Sequence, residues 1–111
     1  MDVKIFAHNG RMLIKSAFSF ADGDPLLLYV EKCPGGIVRL TDAGQTRMHL
    51  RDEPDSFCAG ERAKLFRQMM AKAGVEENDG QIFLDTPKDQ IRAAVLQLSE
   101  AIRLLVESLE P

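Results

Sequence analysis

Several kinds of feature are missing from this chain of 111 residues, and each absence removes a class of function. No run approaches the roughly 18 consecutive apolar residues that a membrane-spanning helix requires. The opening "MDVKIFAHNG" also lacks the apolar core of a secretory signal. The expected location is therefore the cytoplasm, with no membrane partner. Cysteine is scarce: Cys33 and Cys58 match no metal-ligand spacing, and in a cytosolic chain they are read as free thiols. Positive charge is never concentrated, for the 14 lysines and arginines are scattered and the net charge is -3. Nucleic acid is thus not an expected partner, because sequence-independent binding to phosphates needs clustered cations. A phosphate-cradling loop is absent too, since Gly35-Gly36 precedes a strand rather than a helix and no lysine-serine pair follows it. No internal repeat or low-complexity segment is present, and nothing calls for a cofactor.

What remains is ordinary globular material, 45% hydrophobic and 28% charged. The length suits a single domain over residues 1–111, large enough to bury a core without disulfides or a structural metal.

Local patterning supplies the fold expectation. Val3, Ile5 and Ala7 alternate with Lys4, Phe6 and His8, which is strand periodicity, and Asn9-Gly10 tolerates the positive backbone angles of a tight hairpin. "RMLIKSAFSF" should return antiparallel to that first strand; after the breaker "ADGDP" come "LLLYVEK", the turn "CPGG" and "IVRL", completing a four-strand meander. Beyond Leu40 the pattern turns helical, with Thr41 or Asp42 as cap, Gln45 in capping-box position, and a short helix to about residue 50. After the polar loop "DEPDS" a longer helix is expected from Phe57 to Ala73, ended by Gly74 with Val75 folding back on Met70. "ENDG" then turns the chain into the strand "QIFLD". Thr86 as cap, Pro87 at the first helical position and Asp89 in the first turn predict the start of a last helix. There Ile91, Val95, Leu98, Ile102, Leu105 and Leu109 form an apolar stripe opposite Arg92, Glu100, Arg103 and Glu107. The stripe either packs on the sheet or mediates a helix-to-helix dimer. The class is α+β, two layers, with an antiparallel meander sheet of four to five strands and about three helices.

Candidate chemistry is thin. His8 and His49 are the only histidines, and no serine or cysteine motif accompanies them, so both read as surface residues. The methionine pair Met69-Met70 reads as core filling. Asp24, Glu31 and Asp42, with Asp22 nearby, raise the alternative of a magnesium-dependent nucleic-acid enzyme or its regulatory domain. Against it, adjacent Glu31 and Lys32 point to opposite sides of a strand, which is the wrong geometry for that metal chemistry. Within "LTDAGQT", Thr41, Asp42 and Gly44 suit a strand-to-helix joint. Leu27 and Tyr29 alternate with Leu26, Leu28 and Val30, so the third strand is apolar on both sides. A sheet covered on one face should not have such a strand; a second layer or a protein partner must meet Leu27 and Tyr29.

The run "GDPLLLYVEKCPGGIVRLTDAGQT", then "ERAKLFRQMMAKAGVEENDGQIFLD" and a final helix rich in alanine and leucine, resembles a bacterial and phage domain of unknown function, number eighteen twenty-eight. The resemblance rests on Gly23-Asp24 before a hydrophobic strand, on Leu40-Thr41-Asp42 with Gly44, on Gly74-Val75 closing a helix, and on Asp79-Gly80 before the next strand, over residues 22 to 105 or so. It implies a small protein of bacterial chromosomes, prophages or phages, without catalytic residues to transfer. Family members usually place a helix before the first strand, whereas this chain starts on the strand at Val3, which is expected to leave one apolar sheet face open. The expectation is therefore a non-catalytic protein-binding module, a phage or mobile-element accessory protein that modulates a host protein such as a defence nuclease, in the manner of an anti-CRISPR, with a homodimer as another possible assembly.

Overall fold

The computed structural model of the chain describes residues 4–8, 11–20, 23–46 and 60–109. Its elements run β1 (Lys4–His8), β2 (Arg11–Ser19), β3 (Pro25–Lys32), a 3-10 turn (Pro34–Gly36), β4 (Ile37–Thr41), α1 (Gly60–Ala73), β5 (Glu76–Asn78), β6 (Gln81–Pro87), a second 3-10 turn (Lys88–Gln90) and α2 (Ile91–Leu109). The strands form one sheet in the order β1-β2-β3-β4-β6-β5, and all neighbours are antiparallel. The first four strands are thus the meander that the alternating pattern predicts.

Side-chain alternation sorts the strands onto two faces. Ile14 of β2, Leu26 and Leu28 of β3, Leu40 of β4 and Ile82 of β6 are buried together with Phe66 and Met70 of α1 and Val95, Leu98, Ile102 and Leu105 of α2. Both helices therefore lie on one face of the sheet. The α2 stripe packs on the sheet as the first of its two predicted roles requires, and Ala94, Ala101 and Val106 widen it. Its outer side holds Arg103 between Glu100 and Glu107, an exposed ladder of ion pairs. Each fully buried Leu or Ile on this face contributes about 1.5–3 kcal/mol relative to an exposed one.

The end of α1 follows its sequence signals. Gly74 takes φ 74, its N–H donates to Ala71 O, and the Val75 N–H donates to Met70 O at 3.0 Å. This is the double bond of a Schellman cap, with Val75 and Met70 in the same core cluster.

Three expectations need correction. The sheet has six strands rather than four or five, because "EEN" forms the short β5 and pairs with β6 across Asp79-Gly80. Both turn residues have positive φ, 56 and 82, as a two-residue hairpin demands, but Glu76–Asn78 carries no apolar alternation that would mark a strand. The start of α2 is also shifted. Thr86 and Pro87 stay in β6, paired with Val38 and Ile37, and neither caps the helix with a side chain. Proline holds the residue before it extended, so the strand continues and the helix waits until Ile91. Lastly, the described residues hold two long helices rather than about three. Gln45 and Thr46 are helical, but the remainder of the predicted first helix, the "DEPDS" loop, His49, Cys58 and the predicted start of α1 at Phe57 lie outside the described residues.

Candidate functional site

The joint after β4 is built around Asp42, whose exposure is 0%. Its Oδ1 accepts the N–H groups of Gly44 at 2.9 Å and Ile82 at 2.9 Å, and its Oδ2 accepts that of Thr46 at 3.2 Å. Two of these donors belong to its own turn, and the third belongs to β6. The backbone adds another tie, Asp42 N–H to Ile82 O, so one residue fastens the turn to the neighbouring strand through main chain and side chain together. Ala43 and Gly44 both have positive φ, 53 and 83, and the Gln45 N–H closes the turn on Asp42 O. An aspartate suits this place because its two carboxyl oxygens can accept several hydrogen bonds, and three backbone N–H groups, two of them buried, converge on it.

The flanking residues complete the joint. The Thr41 hydroxyl donates to Gln81 Oε1 and its oxygen accepts the Ala43 N–H. Gln45 departs from its expected capping-box role. Its amide turns instead to the start of β3, accepting the Leu27 N–H and donating to Pro25 O, both at 2.9 Å. Strand β4 pairs with β3 only from Tyr29 onward, so a side-chain amide takes the place of the missing neighbour strand at residues 25–27.

The three carboxylates of the magnesium alternative are dispersed. Asp24 and Glu31 stand at opposite ends of β3, about 23 Å apart at the usual rise per residue. Glu31 shares a face with Arg39, while Asp42 falls in alternation with Val38 and Leu40 on the helix-covered side. Among the described residues no three His, Cys, Asp or Glu side chains stand where they would hold a metal ion. Cys33 is a half-buried free thiol, and His8 lies in β1 with its side chain outside the description.

Leu27 and Tyr29 do occupy the face opposite both helices. They are half-buried, while their neighbours Leu26 and Leu28 have 0% exposure. Register extends this face into a row: Leu13 opposes Tyr29, Tyr29 opposes Thr41, Thr41 opposes Phe83, and Phe83 opposes Glu76. Leu13 and Phe83 are half-buried as well. Beside the row, Arg39 grips Asp85 through Nε and Nη2 at 2.7 and 3.1 Å and lies over the Phe83 ring at 4.1 Å. The hydrogen bond from Arg39 holds the Asp85 carboxyl below its ordinary value, and the same bond raises the guanidinium. The result is a partly apolar surface that carries one partly exposed ion pair.

Reasoning from sequence found Leu27 and Tyr29 but missed Leu13, Phe83 and the Arg39–Asp85 pair. Only the pairing register joins them, and β6 reaches β4 after an interval that holds a whole helix. A second feature also went unread. A groove of about 770 Å³ opens where α2 begins, floored by Met12, Val30, Val38 and Ile91 with Lys32 and Lys88 on its rim.

No described helix is long and apolar enough to cross a membrane. Comparison with known proteins returns a single kind of answer. No curated protein and no solved structure matches the chain. The model of one family, described as domain of unknown function DUF1828, matches residues 16–103, and the chain belongs to that family.

Proposed function

We propose that this member of the DUF1828 family is a non-catalytic protein-binding module that meets its partner with the face of its sheet opposite the two described helices. One observation carries the reading: on β3 the residues Leu26 and Leu28 serve the core, while Leu27 and Tyr29 are aligned with Leu13 and Phe83 on a face that neither described helix covers. The helices already fill the core side of the sheet, so the half-buried apolar residues on the other side contribute less to folding and keep part of their surface for association. Asp42, the carboxylate best placed by its motif to be reactive, is occupied by three backbone N–H groups, which supports a structural use of "LTDAGQT". In the phage or mobile-element setting implied by the resemblance, the partner is a host protein such as a defence nuclease.

The test replaces Leu27 or Tyr29 with glutamate and compares folding with association. Both variants are expected to keep the circular-dichroism spectrum of the parent and to lose self-association together with any protein captured from host extract. Variants that bind as the parent does would remove the face from consideration.

A further inference from the structure

On the helix side of the sheet, the end where α2 begins keeps an open hollow. Met12, Val30, Lys32 and Val38 share that side with Leu40, by register and by alternation along the strands. α2 starts only at Ile91, after the 3-10 turn that carries Lys88. Met12 is 42% exposed although it opposes Val30, which packs against the core cluster. The groove of about 770 Å³ at this end falls within the roughly 300–1,000 Å³ usual for sites that take small molecules.

Its lining narrows the class of ligand. Met12, Val30, Ile37, Val38 and Ile91 give an aliphatic floor, and none of the described lining residues is aromatic or carries a hydroxyl or amide side chain. A flat ring would find nothing to stack on, and a sugar would find no side-chain hydroxyl or amide to bond. A flexible aliphatic chain meets neither obstacle. Charge selects what its other end must be. Lys32 and Lys88 both line the groove, both are exposed, and neither has an ion-pair partner among the described residues. Across the sheet Lys32 opposes Val38 and Val38 opposes Thr86, two strand intervals or about 10 Å in all, and Lys88 follows two residues later. Two long side chains so placed can close on one anionic head. Glu31 is the acidic residue among the described lining, but it alternates to the face of Arg39, where it adds to the pull on that guanidinium.

We propose that this groove binds an aliphatic carboxylate of the fatty-acid class, its chain over Val30 and Val38 and its head between Lys32 and Lys88. The site lies on the helix side of the sheet and does not rest on the protein-binding reading of the opposite face. Calorimetric titration of the full chain with sodium decanoate provides the test. One site with a Kd on the order of 100 µM is expected, as suits a ligand of about a dozen non-hydrogen atoms. Decanol, with the same chain and no charge, should bind about tenfold more weakly, and acetate, with the charge and no chain, should give no measurable heat. Lys32→Met and Lys88→Met each keep an apolar stem and remove one ammonium; each should weaken decanoate about threefold and leave decanol as it was. Met12→Glu sets a carboxylate on the floor and should abolish decanoate binding. Lys64→Met, on an exposed position of α1 outside the groove, should change nothing. All these positions are exposed, so the circular-dichroism spectrum of the parent is expected throughout. A parent that does not bind decanoate, decanol bound as tightly as decanoate, lysine variants that bind as the parent does, or Lys64→Met as damaging as the groove variants would each overturn the proposal.

Discussion

The two faces of the sheet take alternate residues from the same strands and put them to different uses. On the covered face Ile14, Leu26, Leu28, Leu40 and Ile82 are almost wholly removed from water and belong to one apolar cluster. On the other face Leu13, Leu27, Tyr29 and Phe83 are half-buried and stand among Lys15, Arg39, Asp85 and Glu76. Adjacent leucines in "PLLLYVEK" therefore differ in energetic role although they are chemically identical. What separates them is whether one of the described helices lies above, and this decides how fully a side chain is removed from water.

Substitutions can break this comparison at several depths. The largest loss is expected at the joint: Asp42→Ala leaves three N–H groups, two of them buried, without their acceptor and should cost roughly 3–5 kcal/mol in urea unfolding. Unchanged stability there would reopen a reactive role for the carboxylate. Next, Leu28→Ala on the covered face should cost about 2–5 kcal/mol through the lost contacts and the cavity left behind. Leu27→Ala should cost less than about 1 kcal/mol when measured below the association range. Equal costs at these two neighbours would mean that the faces do not differ as described. The smallest effect concerns Asp85. Because its folded carboxyl titrates below the unfolded value of about 3.9, its contribution is present above that pH and fades as pH falls through the folded value. Asp85→Asn should therefore flatten the loss of stability below pH 4 or so while changing little at neutrality, as an exposed pair allows.

How much of this was legible in the sequence depends on the range of the signal. The meander was legible because period-two alternation and turn residues act locally, and each strand pairs with the next. The Schellman cap was legible for the same reason, since Met70, Gly74 and Val75 lie within six positions. The joint was half legible: Asp42 was recognised as a cap, but its bond to Ile82 spans forty residues and no local rule announces it. Gln45 was assigned to the wrong partner, because its position three residues after Asp42 fits a capping box, whereas the bond it makes depends on where β4 stops along β3. The start of α2 was misjudged because capping and strand extension compete for the same residues, and cross-strand pairing with β4 prevailed.

That side chain of Gln45 has a further consequence, in the chain's relations with its own kind. Where a strand outruns its neighbour, the unpaired stretch is an invitation to any extended polypeptide, and here it lies in the middle of the sheet, beside two leucines with no exposure at all. By occupying Pro25 O and the Leu27 N–H, the amide of Gln45 withdraws the invitation. One glutamine thereby satisfies the backbone groups through which a further strand would pair.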